Sequence, residues 1–207
     1  MKPGIVSKSL AVVFIVACTV VVNSCSSDAN TPPETRQTVE TPKAAGVAQT
    51  YPHYVDRAVL VERRGMQIDD GDTFVYDGVT VRILGIDTPE IMHPEHGFYE
   101  DQPYGHEATD KATEIFDSAS VIEYVADSLD PYGRTLAQVF VDGESFAVKM
   151  IEAGMAYESV SFYGDNGFPD IAALILAAAE KAGTPPFQEP HIWRREHRRE
   201  PSGQSAN

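Results

Sequence analysis

"DGDTFVYDGVTVRILGIDTPE", residues 70–90, places two short runs of β-branched and aromatic residues on either side of Asp77-Gly78. "TFVY" and "VTVRILGI" have strand composition, and an Asp-Gly pair between such runs marks a tight hairpin turn. Four carboxylates bracket the hairpin, Asp70, Asp72, Asp87 and Glu90, and Arg82 stands mid-strand between Val81 and Ile83. Asp and Gly between strands are ordinary turn chemistry, so "DGDT" alone specifies no site. It is not an EF-hand loop, because Phe74 occupies the place of a third acidic or amide ligand. Asp72 opens one strand and Asp87 ends the next, so antiparallel pairing across the turn brings them together. Two hard carboxylates with a backbone carbonyl and waters suit calcium. A charge at Arg82 either points to solvent or meets an anion.

Around this hairpin, "RAVLVERRG" (57–65) reads as a preceding strand. The polar segment 87–105 has three prolines and reads as a loop. "HEATDKATEIFDSAS" (106–120) sets Ala108, Ala112, Ile115 and Phe116 at helical spacing. "SVIEYVA" and "TLAQVFVDG" are two more strands, joined by "DSLDPYGR". "SFAVKMIEAGMA" puts Val148, Ile151 and Met155 on one helical stripe. "PDIAALILAAAEKAG" is a helix with Pro169 and Asp170 at its start and Gly183 as its stop. Three strands, a helix, two strands and two helices describe a small closed barrel better than a parallel sheet, in which strands and helices alternate.

The chain of 207 residues begins with Lys2 and Lys8 ahead of an apolar run from Leu10 to Val22. That is an export signal, too short for a comfortable membrane span of about 20 residues. Both cysteines, Cys18 and Cys25, fall in or beside it, so residues 26–207 can form no disulfide and no thiolate metal site. "VNSC" ending at Cys25 resembles the lipobox of bacterial lipoproteins; "IVAC" at Cys18 also fits, and ordinary cleavage near Ser24 is the alternative. Residues 1–25 are thus assigned to a lipoprotein-type signal peptide. Residues 26–54, rich in Ser, Thr, Pro and Ala, read as a flexible linker. Residues 56–183 hold 8 Lys and Arg against 25 Asp and Glu, a net charge of −17. Such acidity argues against tight, non-specific nucleic-acid binding, but not against an enzyme whose cation supplies positive charge locally. The run "RREHRRE" (194–200) reads as a solvated tail, with a secondary role in holding nucleic acid or anionic lipid as the alternative, and residues 196–207 are assigned to a polar C-terminal tail.

"DGDT", "VRILGIDTPE" and "DPYGRTLAQVFVDG", in that order and spacing, resemble staphylococcal nuclease and its thermonuclease relatives. "YGHEAT" before the first helix and "IW" at Trp193 extend the likeness over residues 55–195. The resemblance implies an α+β fold, mainly β: a five-stranded OB barrel with three helices. It implies calcium as cofactor, held by the carboxylates of Asp72 and Asp87 and the carbonyl of Thr88. Glu90 would hold or activate the attacking water, and Arg82 and Arg134 would grip the scissile phosphate. Asp70 would support at most, and Tyr132 would bind a neighbouring phosphate.

The likeness has gaps. Pro131 stands where a lysine is expected before Tyr132, and the loop after Glu90 is longer and more acidic. Two nucleotide-contacting tyrosines fall on Val160 and Phe162, with Tyr163 one residue off, so Phe162 and Tyr163 are the candidates to stack on a base. His93, His96 and His106 read as surface-loop residues rather than a transition-metal site. The expectation is an exported, lipid-anchored, monomeric calcium-dependent nuclease acting on DNA, with RNA as a further candidate. The alternative is a non-cutting barrel of the same fold that binds nucleic acid or a protein partner. A third reading, a structural calcium-binding lipoprotein, leaves the arginines unexplained.

Overall fold

A computed structural model describes Gly46 and residues 50–199. Its first strand is bent: β1 (Ala58–Val61) and β2 (Met66–Ile68) are separated by one 3-10 turn at Arg63–Gly65. There follow β3 (Thr73–Tyr76), β4 (Val79–Ile83), β5 (Ile86–Asp87), α1 (Gly105–Ser118), β6 (Ile122–Leu129), β7 (Thr135–Val141) and β8 (Glu144–Ser145). The chain continues through α2 (Phe146–Glu152), β9 (Tyr157–Glu158), α3 (Val160–Tyr163), α4 (Pro169–Ala182) and α5 (Pro190–His197).

The strand order is β1-β6-β7-β4-β3-β2. Because β1 and β2 are halves of one bent strand at opposite ends of this order, the sheet curls until the chain itself joins its edges. That is the five-stranded OB arrangement, and it leaves little unpaired edge to attract a second chain. At the β3–β4 turn Asp77 and Gly78 take positive φ values of 48° and 76°, the type I′ geometry that matches strand twist. β4 pairs β7 in parallel, with Arg82 opposite Leu136. β5 pairs β9, with Asp87 opposite Tyr157.

Apolar faces of the barrel and helices share one core. Phe74, Val81, Val125 and Ala137 are fully buried, and Phe116 of α1 stacks on Phe146 of α2 at 4.4 Å and 11°. α1 buries Ala108, Ala112 and Phe116, with Ile115 packed at the margin, as its spacing predicts. α2 starts where expected, with Ser145 Oγ accepting from Val148 N at 3.4 Å as its cap, but the residues turned inward are Phe146, Ala147, Met150 and Ile151. Val148 and Met155 are therefore only partly buried, and Met155 lies beyond the helix.

Both ends of the domain extend further than their composition indicates. The last residues assigned to the linker are packed: Tyr51 lies 5.2 Å from the Phe140 ring, and buried Tyr54 donates to Asp170 Oδ1 at 2.5 Å. At the other end, "RREHRRE" is not a solvated tail through Arg199. α5 runs to His197, whose ring stacks on Trp193 at 4.4 Å, and Arg199 N donates to Gly97 O at 2.9 Å. Helices α3 and α5 add to the three expected ones. Residues 1–45, with the signal, Cys25 and most of the linker, lie outside the described residues, as do residues 200–207. Among the described residues no helix is long and apolar enough to cross a membrane.

Candidate active site

Alternation along β4 turns Val81 and Ile83 into the core and Arg82 to the opposite face. The Arg82 side chain is nevertheless only 16% exposed, because two carboxylates close over it. Its Nη1 pairs with Asp72 Oδ1, and its Nη2 donates to Asp87 Oδ1 at 3.0 Å. Asp72 Oδ2 also accepts from Thr88 N at 2.9 Å, so the two acid-bearing strand ends are stitched across the hairpin. Both terminal nitrogens of Arg82 thus face carboxylate oxygens of the hairpin. Burial opposes the Arg82 charge, but Asp72 and Asp87 hold its guanidinium more firmly protonated than usual.

Arg194 of α5 extends the chain of charges. Its Nη1 and Nη2 fork onto Asp87 Oδ1 and Oδ2 at 3.0 and 2.8 Å, and Nη1 also pairs with Glu90 Oε1. The resulting series is Asp72, Arg82, Asp87, Arg194, Glu90. Burial opposes the Arg194 charge too, and again the neighbouring carboxylates raise its pKa. Burial is also the main reason that the Glu90 carboxyl is pushed up from its ordinary range, against the pull of Arg194. Asp70 accepts from Asp72 N at 3.0 Å; burial, and then the charge of Asp72, push its carboxyl well up.

The Glu90 backbone is fixed by a residue that the sequence did not single out. Buried Gln102 accepts from Glu90 N at 3.2 Å through Oε1, and its own N donates to Glu90 O at 2.8 Å. Its Nε2 donates to Gln188 O at 2.6 Å, tying this loop to the approach of α5. Two glycines permit the close approaches. A Cβ on Gly71 would lie 2.9 Å from Thr88 Cβ and Oγ1, and one on Gly105 would collide with Glu90 O.

Arg134 stands just before β7. In the parallel β4–β7 register it falls two residues before the partner of Arg82, hence on the same sheet face. Asp130 holds it: Oδ1 accepts from Tyr132 N and Arg134 N, both at 2.9 Å, and Oδ2 accepts from Arg134 Nε at 2.7 Å. Although burial opposes it, these bonds hold the Asp130 carboxyl below its usual range. Tyr132 is exposed, with its ring 5.8 Å from Arg134 Cζ. Among the described residues no hydrogen bond or ion pair links Arg134 to the Asp72–Glu90 series. Phe162 and Tyr163 on α3 are exposed, and Phe162 lies 6.3 Å from the His191 ring, nearly parallel. With Asp87 they line a cleft of about 290 Å³. Tyr157 is a tie, donating to Phe187 O at 2.8 Å.

The donor set fits a hard cation. Asp72, Asp87, Glu90 and Thr88 offer oxygen only, one guanidinium reaches both aspartates, and four carboxyls with two arginines leave surplus negative charge. Among the described residues no three His, Asp or Glu side chains already form a metal cage; guanidinium groups stand between the acids. His93 pairs with Glu95 and His106 with Asp101, so the loop histidines are engaged separately.

Known proteins share this arrangement of sequence. The family model described as staphylococcal nuclease homologue matches residues 80–184. A thermonuclease of Staphylococcus intermedius is 33% identical over 134 residues, 62% of this chain and 74% of that one. A thermonuclease of Staphylococcus hyicus is 36% identical over 106 residues, covering 49% of this chain and 60% of that one. The endonuclease YncB of Bacillus subtilis is 37% identical over 111 residues, 51% of each chain. The matched residues include Arg82, Asp87, Glu90 and Arg134 and begin after Asp72; with the curled OB sheet, the match shows that the chain belongs to the staphylococcal nuclease homologue family.

Proposed function

We propose that this protein is an exported calcium-dependent nuclease that hydrolyses phosphodiester bonds of DNA, with RNA as a second candidate substrate. The observation that carries this reading is the Asp72–Arg82–Asp87 series of one hairpin, continued to Glu90 through Arg194 of α5. Asp72, Asp87 and the Thr88 carbonyl would hold calcium, which when bound supplies positive charge to the phosphate oxygens. Arg82 and Arg134 grip the scissile phosphate. Their forked, always-charged donors stabilise the added charge of the five-coordinate transition state more than the ground state. Glu90 takes a proton from the attacking water or orients it. Tyr132 flanks the phosphate path, and Phe162 or Tyr163 offers a stacking surface for a base.

Relatives named thermonuclease and endonuclease support cleavage over mere binding, as does the presence of both arginines with the glutamate. Lipidation at Cys25 would anchor a monomer on the extracytoplasmic membrane face. A nuclease assay on the full chain tests the reading: cleavage in calcium should disappear on chelation and return on adding calcium back. Undiminished cleavage in chelator would overturn it. Acyl labelling should be abolished by Cys25→Ser; loss only on changing Cys18 would refute the site.

A further inference from the structure

Arg194 competes for the groups assigned to the cation. A carboxylate offers about four lone-pair positions. Asp87 already spends three, Oδ1 on Arg82 and Arg194 and Oδ2 on Arg194, and Glu90 Oε1 is paired as well. Oδ1 is fully used, so a divalent ion cannot take Asp87 through both oxygens without displacing a guanidinium, and the one remaining Oδ2 position lies beside the Arg194 charge. Arg82 is held mid-strand between two ladders, with its side chain 16% exposed. Arg194 rises from an eight-residue helix near the end of the described chain and is 28% exposed. Its side chain is the cheaper one to move.

We propose that Arg194 is an internal occupant of the cation site: it latches Asp87 and Glu90 together when the site is empty and is exchanged for the divalent cation on loading. The proposal rests on reading Asp87 as a calcium ligand. The latch prevents two nearby buried carboxylates from standing unneutralised, which would otherwise be costly. Its consequence is a calcium affinity weakened by the work of breaking a forked, charge-assisted contact. The surplus negative charge of the site drives the exchange, because a divalent ion neutralises more than one guanidinium does.

The exchange has a built-in reporter. Trp193, the sole tryptophan, precedes Arg194, is buried, and lies between the His197 ring at 4.4 Å and the Phe98 ring at 5.8 Å. Calcium titrations of the full chain, read by calorimetry and by Trp193 emission, test the latch in native protein, Arg194→Gln and Arg194→Lys. Arg194→Gln should bind calcium about tenfold more tightly, in line with a lost charged contact, and Arg194→Lys should fall between the two. Calcium should change Trp193 emission in the native chain and much less in Arg194→Gln. If native protein binds calcium but Arg194→Gln binds no more tightly, Arg194 is a fixed tie for α5 and the latch is wrong while the calcium reading stands. If neither binds calcium, the calcium reading fails and the latch with it.

Discussion

Arg82 lies on the outward face of β4, where an unpaired buried charge would cost more than its strand could recover. Asp72 and Asp87 remove that cost, and in doing so they set a guanidinium beside two hard carboxylates. The convergence of Asp72 and Asp87 was legible from one hairpin, because period-2 alternation and the Asp77-Gly78 turn bring their strand ends together; the pairing of Arg82 with both was not, since a mid-strand charge reads equally as facing solvent or meeting an anion. Arg194 was not legible. It lies 104 residues from Glu90 in sequence, within a run whose composition is that of a solvated tail. Gln102 was hidden for the same kind of reason, since only the folded loop turns its amide onto Glu90. If Glu90 handles the attacking water as proposed, Glu90→Gln should lower single-turnover cleavage by about 10²–10⁴-fold. On the proposed role of Arg134 at the scissile phosphate, Arg134→Ala should cost about 10²–10³-fold in rate, with a smaller change in substrate affinity.

Between elements, short-range patterns predicted α1 and α4 well: apolar spacing alone carries α1, and in α4 Pro169 at the start and Gly183 at the stop agree with it. The α2 stripe was misplaced because the Ser145 cap sets the helix phase, and apolar residues past its end continue an apparent period. Packing of the segment before β1 was illegible, since its partner Asp170 lies on α4. That contact is testable. Burial opposes the Asp170 charge, but the Tyr54 hydrogen bond leads the bonds that hold its carboxyl below the usual range. A depressed carboxylate contributes stability above its unfolded pKa of about 3.9, and that stability is lost as pH falls through the lower folded value. Tyr54→Phe should therefore lower stability by about 1–2 kcal/mol near neutral pH, and the difference should shrink below about pH 4 in denaturant titrations. Gly71→Ala forces a Cβ against Thr88, so the loop must move. It should weaken calcium binding in calorimetry while the far-UV circular dichroism of the barrel persists.

The molecule as a whole is acidic, with a formal net charge of −15, and closes its barrel through the bent β1–β2 strand rather than through charge. Both properties were readable in outline, the first from composition and the second from element order; the break in the first strand at Arg63–Gly65 was not, because three turn residues barely interrupt its pattern. An acidic nuclease must hold its substrate through a few local cations. With Arg82 and Arg134 as the phosphate contacts, log affinity for single-stranded DNA should fall with log salt at a slope of only about −1 to −2. A steep slope would show a wider basic surface in use. A cutting enzyme and a binding module of the same fold are separated by one paired measurement on the full chain. Binding and single-turnover cleavage of the same single-stranded oligonucleotide are followed in calcium for native protein and Glu90→Gln. The expected result is binding retained within a few-fold and cleavage reduced at least about 100-fold. Cleavage that survives the substitution, or a native protein that binds and never cuts, would contradict the assignment of this hairpin as a phosphodiester-cleaving centre.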